Sequence, residues 1–476
     1  MKVVFICLDT ARVDHFGCYG HPFNTTANVD KIAQQGVVFR RCYASDVPTP
    51  PEYTAIFSGR FGIHTGIFGF EGPSAYRPGP PMLQEILARQ GWRTGAISNL
   101  FYTCPWLFRG WHDVSPPGLR FQGGRAPEVT DEAIRWLKNH GEGDFFLFVH
   151  YWEPHQPYTK APQEHRKLFP TESYKRIAPD MRVLNSNPIM KTFYKYYHAK
   201  GEGDANMPAE EVLARYDSQI HFADEEVGRF VEYLDQCGIG EDALLIVASD
   251  HGEAFGEYGF IDHYTCYENI SHVPLVLRFP GRLPSGTSVE GFVYGADLMP
   301  TILELAGLDV PAGVDGVSFL PAAREGKDTA RDFIVTDCNA LVTQRMMVQD
   351  QWALAHTIHP GPQVHIKPYE LFDLEGDQER DVSLDHAEKK KEMQALLAEW
   401  LAEHLHGGPD PLQQAAREGG WMLSHPAFIH SMLEHLELVR KNHLLWETLL
   451  RRYGPGLELL RAGGSIEPEW ARGMGK

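Results

Sequence analysis

The start of the chain sets the strongest constraint on its fold. Val3–Leu8 is an unbroken apolar run that ends at Asp9. A run without polar alternation reads as a strand covered on both faces, and such strands belong to parallel or mixed sheets held between helices. Thr94–Ser98, Phe145–Val149, Leu244–Ala248 and Val273–Arg278 behave alike. Between them, Pro81–Arg89, Thr130–Asn139, Ala209–Asp235 and Leu298–Leu305 carry helical spacing, and Gly91, Gly238 and Gly307 closely follow three of these helices. The alternation predicts an α/β fold with a large, mostly parallel mixed sheet flanked by helices.

The chain has 476 residues, 43% of them hydrophobic, ample for a substantial core. A break is expected at His359-Pro360-Gly361-Pro362. We assign residues 1–365 to a main domain and 366–408 to a small C-terminal α+β subdomain, with a strand at Tyr369–Leu374 and a helix at Lys389–His404. Residues 409–476 form a helical tail. Its Trp421, Phe428, Trp446 and Trp470 make it too apolar for a disordered segment. It either packs back on the body or reaches a second copy as an oligomerisation arm, and a homo-oligomer is expected. Lys160–Met207 is polar and weakly patterned, an insertion near the site or a surface excursion.

With 44 basic and 63 acidic residues, the net charge is -19, which argues against a general nucleic-acid binder. No apolar run has the length of a membrane helix, and the first is too short for a signal peptide. Seven cysteines without a CxxC motif read as reduced thiols. A cytoplasmic enzyme without membrane or nucleic-acid partners is expected.

Sites in open α/β sheets form beyond the carboxyl ends of strands. Four segments qualify: Asp9, Thr49, His155, and Asp250 with His251. Asp9, Asp250 and His251 suit one divalent ion, whether Mn, Ca, Mg or Zn. Ordinary polar turns are the plainer reading. Thr49 precedes an expected helix over Glu52–Ser58, whose free N–H groups would face an anion; otherwise it simply caps that helix. A hydroxyl needs a metal or a base before it attacks. His155 and His263 are candidates to hold a substrate oxygen or protonate a leaving group, although most of the 23 histidines must be structural. Asp217 and His221, four apart on a helix, form either part of a second metal site or a plain surface contact, the simpler reading.

Together these segments resemble the sulfatase family of the alkaline phosphatase superfamily, from residue 3 to about residue 385. The resemblance rests on Asp9-Thr10-Ala11-Arg12-Val13-Asp14, Asn28–Phe39, Ser249-Asp250-His251-Gly252-Glu253 through Leu275, Asp297–Ile302, Asp315–Leu320 and Glu370–Glu375. It implies an alkaline phosphatase-like fold and one divalent metal held by Asp9, Asp250, His251 and the Thr49 oxygen. The chain departs from the family where a sulfatase carries the Cys or Ser that becomes formylglycine. Cys-x-Pro-x-Arg reads Thr49-Pro50-Pro51-Glu52-Tyr53 here, so no formylglycine is expected. Asn99 stands where a lysine is usual, and His263 is nearest to the place of a second. Thr49-x-Pro51 and Ile56-x-Ser58-Gly59 also resemble nucleotide pyrophosphatase/phosphodiesterase relatives, which use threonine.

The resemblance therefore implies hydrolysis of a small anionic ester, a phosphodiester or phosphonate monoester before a sulfate. Thr49 is the nucleophile, and Asn99, His155 and His263 serve the substrate's oxygens. Glu52 and Tyr53 flank the reacting centre on this reading. Two alternatives stand beside it. One is a metal-dependent lyase or decarboxylase of an aromatic acid, with Thr49 only a ligand and Tyr53, Trp152, Tyr158 and Phe255 forming the pocket. The other is an inactive binding protein.

Overall fold

Lys2–Leu8 lies in the middle of a nine-stranded sheet. The computed structural model describes residues 1–461 apart from 71–75, 119–123, 203–206, 327–328, 364, 418, 421–422 and 424–425. The strand order is His272–Val273, Val37–Tyr43, Leu275–Arg278, Ala243–Ala248, Lys2–Leu8, Phe145–Tyr151, Arg93–Ile97 and Asp113–Ser115, with Thr287–Tyr294 paired to Val37–Tyr43. The run from Ala243–Ala248 to Asp113–Ser115 is parallel throughout, while Leu275–Arg278 enters antiparallel. The sheet is thus mixed and mostly parallel. The expected strand Val273–Arg278 is two strands, because Pro274 interrupts it; proline has no N–H for a ladder bond.

The apolar runs are explained by cover on both faces. From the first strand, Phe5 and Cys7 pack with Tyr53, Phe57, Leu83, Phe148 and Leu298. Val4, Ile6 and Leu8 turn the other way, onto Ile32, Val129, Trp136, Val227 and Phe230. One face is covered by helices Thr49–Ser58, Leu83–Arg89 and Leu298–Leu305, and the other by Ala27–Gln34, Ala126–His140 and Ala209–Gln236. Each fully buried Val, Leu, Ile or Phe is worth about 1.5–3 kcal/mol, so the layers hold without polar help. Gly238 and Gly307 follow their helices with φ of 70° and 69°, the left-handed ending that glycine supplies.

A second sheet follows in the order Tyr369–Asp373, Trp352–His359, Thr343–Gln349, Phe333–Asn339 and Asp46–Val47. The boundary expected after residue 365 falls inside this sheet, which already begins at Phe333. Its last member is a two-residue strand from the segment just before Thr49, so the sheet is joined to the site rather than appended to it.

The tail folds onto its own chain. Leu423, Phe428, Met432, Val439, Leu445 and Leu449 share one core with the second sheet and with Leu184, Ile189, Met190 and Phe193. Thr192 Oγ1 meets His435 Nε2 at 2.8 Å, and the Phe193 and Phe428 rings lie 5.7 Å apart. Residues 184–193 of the expected excursion therefore pack between body and tail. Trp446 packs at the edge of this core, whereas Trp421 and Trp470 lie outside the described residues. Among the described residues no helix is long and apolar enough to cross a membrane.

Arg345 closes this half of the molecule. It is fully buried, its Nε and Nη2 donate to Asp337 at 2.6 and 2.8 Å, and its Nη1 donates to Asp410 at 2.8 Å. Removing one partner of a buried ion network strands the others. Arg345→Ala leaves two buried carboxylates without their cation. We expect it to lower unfolding free energy by about 3–5 kcal/mol in denaturant titration; a change under about 1 kcal/mol would contradict this role.

Candidate active site

The register of the central strands assembles the acidic groups. Cys7 lies opposite His150 on one side and Ala248 on the other. Asp9, two residues on, therefore emerges between His150 and Asp250. All three are fully or almost fully buried. Asp9 Oδ2 accepts from His150 Nε2 at 2.9 Å, and Ser98 Oγ lies 3.1 Å from His150 Nδ1. A carboxylate only accepts, so the imidazole proton sits on Nε2, and Nδ1 accepts from the Ser98 hydroxyl, whose oxygen also takes the Leu100 N–H. Burial pushes His150 down to about 4, which keeps this ring neutral. The sequence reading ended its strand at Val149 and missed His150. A lone polar residue closing Phe-Phe-Leu-Phe-Val was the available signal.

Asp250 is held by Thr10, whose N–H donates to Oδ1 at 3.0 Å from a backbone with φ of 57°. Left-handed backbone at a non-glycine residue costs of order 1–3 kcal/mol and persists where surroundings over-determine it. Tyr216 supplies such restraint: its hydroxyl donates to Thr10 O at 2.6 Å and accepts from Arg12 N at 2.8 Å. After His251 the chain requires glycine, since a Cβ on Gly252 would sit 2.2 Å from the Asn269 carbonyl oxygen.

His251 Nδ1–H donates to Gly252 O at 2.9 Å, so Nε2 presents its lone pair. Burial pushes this ring down to about 4, keeping the lone pair free of a proton at neutral pH. Thr49 Oγ1 lies 3.0 Å from that nitrogen, and Asp250 Oδ2 lies 3.3 Å from it.

Thr49 opens the helix Thr49–Ser58, three residues earlier than expected. Pro50 and Pro51 suit its first turn, but neither has an N–H. The expected cradle of helix N–H groups thus shrinks to that of Thr49 itself, with Glu52 N leaning on Pro48 O at 3.4 Å. Glu52 and Tyr53 do not flank the reacting centre as expected. Glu52 Oε2 accepts from Ser45 N at 2.8 Å, tying down the turn before Thr49, and Tyr53 donates to Cys7 Sγ at 3.1 Å.

His263 and His155 approach from the loops. The His263 ring lies 4.4 Å from that of His251 and 5.3 Å from that of His155, which stacks on Trp152 at 4.4 Å. Burial opposes a charge on His263, but Asp262, in direct contact, and Glu253 outweigh it and hold the ring protonated well above its ordinary range. Asn99 is buried one residue beyond Ser98, at the same strand end. The aromatic pocket of the lyase alternative does not form as imagined. Tyr53 faces Cys7, Tyr158 donates to Glu253 Oε2 at 3.0 Å, and Phe255 packs edge-on against Tyr216.

Lys160 went unremarked in the sequence. Its Nζ is buried without a hydrogen-bond partner, and burial lowers its pKa while the charges of Glu153 and Asp9 act against that. A lysine two residues beyond Tyr158, in a segment that returns to the site, is visible only once the fold is known.

Asp217 and His221 do not share a site. Asp217 turns to His15 and His21, whereas His221 Nδ1 meets His165 Nδ1 at 3.0 Å. The helix is wedged between layers, so four-residue spacing does not make a common face for these two.

Asp9 Oδ1 and Asp250 Oδ2 are buried with no hydrogen-bond partner. An unsatisfied carboxylate oxygen is costly, and two side by side are more so. Burial, then Asp250, pushes Asp9 well above the usual carboxylate range. A divalent cation removes both penalties. Asp9, Asp250 and His251 offer ligand atoms within 4.8 Å of one another, and spacings of 3.0 and 3.3 Å around His251 Nε2 match neighbouring ligands at bonds of about 2.1 Å. The residues fit such an ion.

Known proteins share this fold. A family model described as Sulfatase matches residues 2–308, and one described as N-sulphoglucosamine sulphohydrolase, C-terminal, matches residues 256–406. An N-acetylglucosamine-6-O-sulfatase of Bacteroides thetaiotaomicron is 21% identical, covering 88% of this chain and 89% of that protein. The multifunctional alkaline phosphatase superfamily protein PehA of Trinickia caryophylli is 26% identical, covering 64% and 73% respectively. The solved structure of a phosphonate monoester hydrolase of Agrobacterium radiobacter superposes with a TM-score of 0.69 at 21% identity, over 85% of this chain and 96% of that one. The relatives are hydrolytic enzymes on an alkaline phosphatase-like fold. With more than half of its length matched by the first model, the chain belongs to the sulfatase family.

Proposed function

We propose that this chain hydrolyses a small anionic ester, a phosphodiester or phosphonate monoester before a sulfate ester, with Thr49 as nucleophile and one divalent cation. The observation that carries the reading is the position of Thr49 Oγ1, at a helix start, 3.0 Å from His251 Nε2 and beside two unpartnered carboxylate oxygens. The name of the phosphonate monoester hydrolase supports the substrate class.

Asp9, Asp250 and His251 would hold the cation, with the Thr49 oxygen completing the set. Bound there, it would lower the pKa of the Thr49 hydroxyl and offset charge on the attacked group. Thr49 Oγ, its proton released to solvent, forms a bond to the phosphorus, and the bond from phosphorus to the leaving oxygen breaks. His263, kept protonated by Asp262 and Glu253, supplies the proton to that oxygen, with His155 beside it. Water then attacks the phosphorus, the bond from Thr49 Oγ to phosphorus breaks as a water proton passes to Thr49, and His263 regains its proton from solvent. Because two prolines remove helix N–H donors, Lys160 and His263 carry the positive charge facing the substrate, and Asn99 adds a neutral donor. The burial of these groups strengthens each contact.

Three measurements test this. Thr49→Ala should lower kcat at least about a thousandfold, roughly 4 kcal/mol of barrier, and abolish a phosphoryl adduct seen by intact mass on wild type during turnover of aryl phosphodiesters and phosphonates. Turnover near wild type would exclude Thr49 as nucleophile. Asp250→Asn should bind less than about a tenth of the wild-type active-site metal and lose about a thousandfold in rate; full activity in the same metal-supplemented buffer would remove that ligand from the scheme. Lys160→Met keeps the bulk but not the charge. It should raise KM about tenfold, with a smaller change in kcat, and an unchanged KM would place Lys160 outside the substrate's reach.

A further inference from the structure

A second cluster of metal-binding groups lies outside this site and has no part in the proposed reaction. His15 and His21 come from the loop that follows Asp9, and Asp217 from the helix Ala209–Gln236. Their side chains are 5%, 3% and 0% exposed. His15 Nδ1 lies 2.5 Å from Asp217 Oδ1, and His21 Nε2 lies 2.9 Å from Asp217 Oδ2. The two rings stack with centroids 4.7 Å apart.

The hydrogen-bond pattern around His21 does not close for a neutral ring. His21 Nδ1 faces the Asp14 carbonyl oxygen at 2.9 Å, and a carbonyl can only accept, so Nδ1 carries the proton. Nε2 of a neutral ring is then a bare lone pair aimed at a carboxylate oxygen, an acceptor against an acceptor. A second proton on the ring or a metal ion bound by both groups resolves the conflict. The surroundings match the second. Metal-binding histidines commonly donate their other N–H to a backbone carbonyl, and ligating carboxylates are themselves hydrogen-bonded. Here Asp14 O takes the His21 proton, and the Tyr174 hydroxyl donates to Asp217 Oδ2 at 2.5 Å. Tyr216, Phe255, Phe23 and Tyr174 surround the imidazoles with rings. Asp14 is exposed, so the cluster lies just beneath the surface, within reach of an entering ion.

We infer that His15, His21 and Asp217 form a second, structural metal site that takes a transition ion of the zinc type. Two imidazoles and one carboxylate are a softer donor set than the oxygen-rich Asp9 and Asp250 centre, and nitrogen donors favour Zn over Ca or Mg. The ion clamps the loop carrying Thr10 and Arg12 to the long helix, beside the Tyr216 hydroxyl that already bridges them.

The test is metal content of the full chain after loading with Zn2+ and desalting. Asp250→Asn, with its catalytic ligand set broken, should still hold one equivalent of zinc per chain, and His21→Ala in that background should hold none. Co2+ in the Asp250→Asn protein should give a visible absorption band that the double variant lacks at unchanged circular dichroism. If the double variant does not fold, the count on Asp250→Asn decides alone. An Asp250→Asn chain without zinc, or one whose zinc persists in the folded double variant, overturns the assignment.

Discussion

Backbone hydrogen bonds hold Lys2–Leu8 parallel between Phe145–Tyr151 and Ala243–Ala248, and the candidate centre depends on that pairing. A slip of one residue turns every side chain to the opposite face. Here it would send Phe5 and Cys7 into the layer built for Val4 and Ile6, and carry Asp9 away from both His150 and Asp250. The register is fixed by apolar burial on two faces, each worth many kcal/mol, and not by the polar groups at the strand ends. The acidic pair therefore sits where packing puts it, and its unfavourable electrostatics are borne by the surrounding fold.

That arrangement bears on how a chain of net charge -19 would accept the proposed anionic ester. Overall charge acts at long range and is screened beyond about 8 Å at physiological salt. The local field is set by what lies within a few ångströms of Thr49. A cation on Asp9, Asp250 and His251 would neutralise two carboxylates. His263, charged through Asp262 and Glu253, adds positive charge beside it. The helix start contributes little, because Pro50 and Pro51 have no N–H to offer.

Much of this was legible in the sequence, for a physical reason. Asp9, Thr49, Asp250 and His251 each stand just after an apolar strand or at a helix start, where periodicity breaks. The central strands and long helices were found because their patterns run for several turns or a full strand. What was missed follows another rule. His150 lies inside its strand, so periodicity absorbs it. Lys160 reaches the site only through the fold of the segment after Trp152. The strands from Phe333 to His359 carry no clear sequence signal, because buried Thr336, Gln344 and Arg345 interrupt the apolar pattern while pairing with Ala44 O, Thr357 and Asp337. Asp217 and His221 misled because helical spacing predicts a shared face only on a helix with one partner; this helix has several.

The loop after Asp9 shows why a site of this kind needs so many cross-links. Thr10 is held in a left-handed conformation between Asp250 and Tyr216. Ala11 N donates to Ser249 Oγ, whose own proton goes to His251 O, so the two ligand loops are stitched directly together. Arg12 then spans from Asp14 to Glu257 and the Glu253 carbonyl, joining the first loop to the one that supports His263. Neighbouring carboxylates repel one another until a cation binds, and a flexible loop would relieve that repulsion by moving apart. These bonds deny it that escape. The ligand atoms stay within reach of a single ion, and the loop's only freedom is the small adjustment that coordination itself requires.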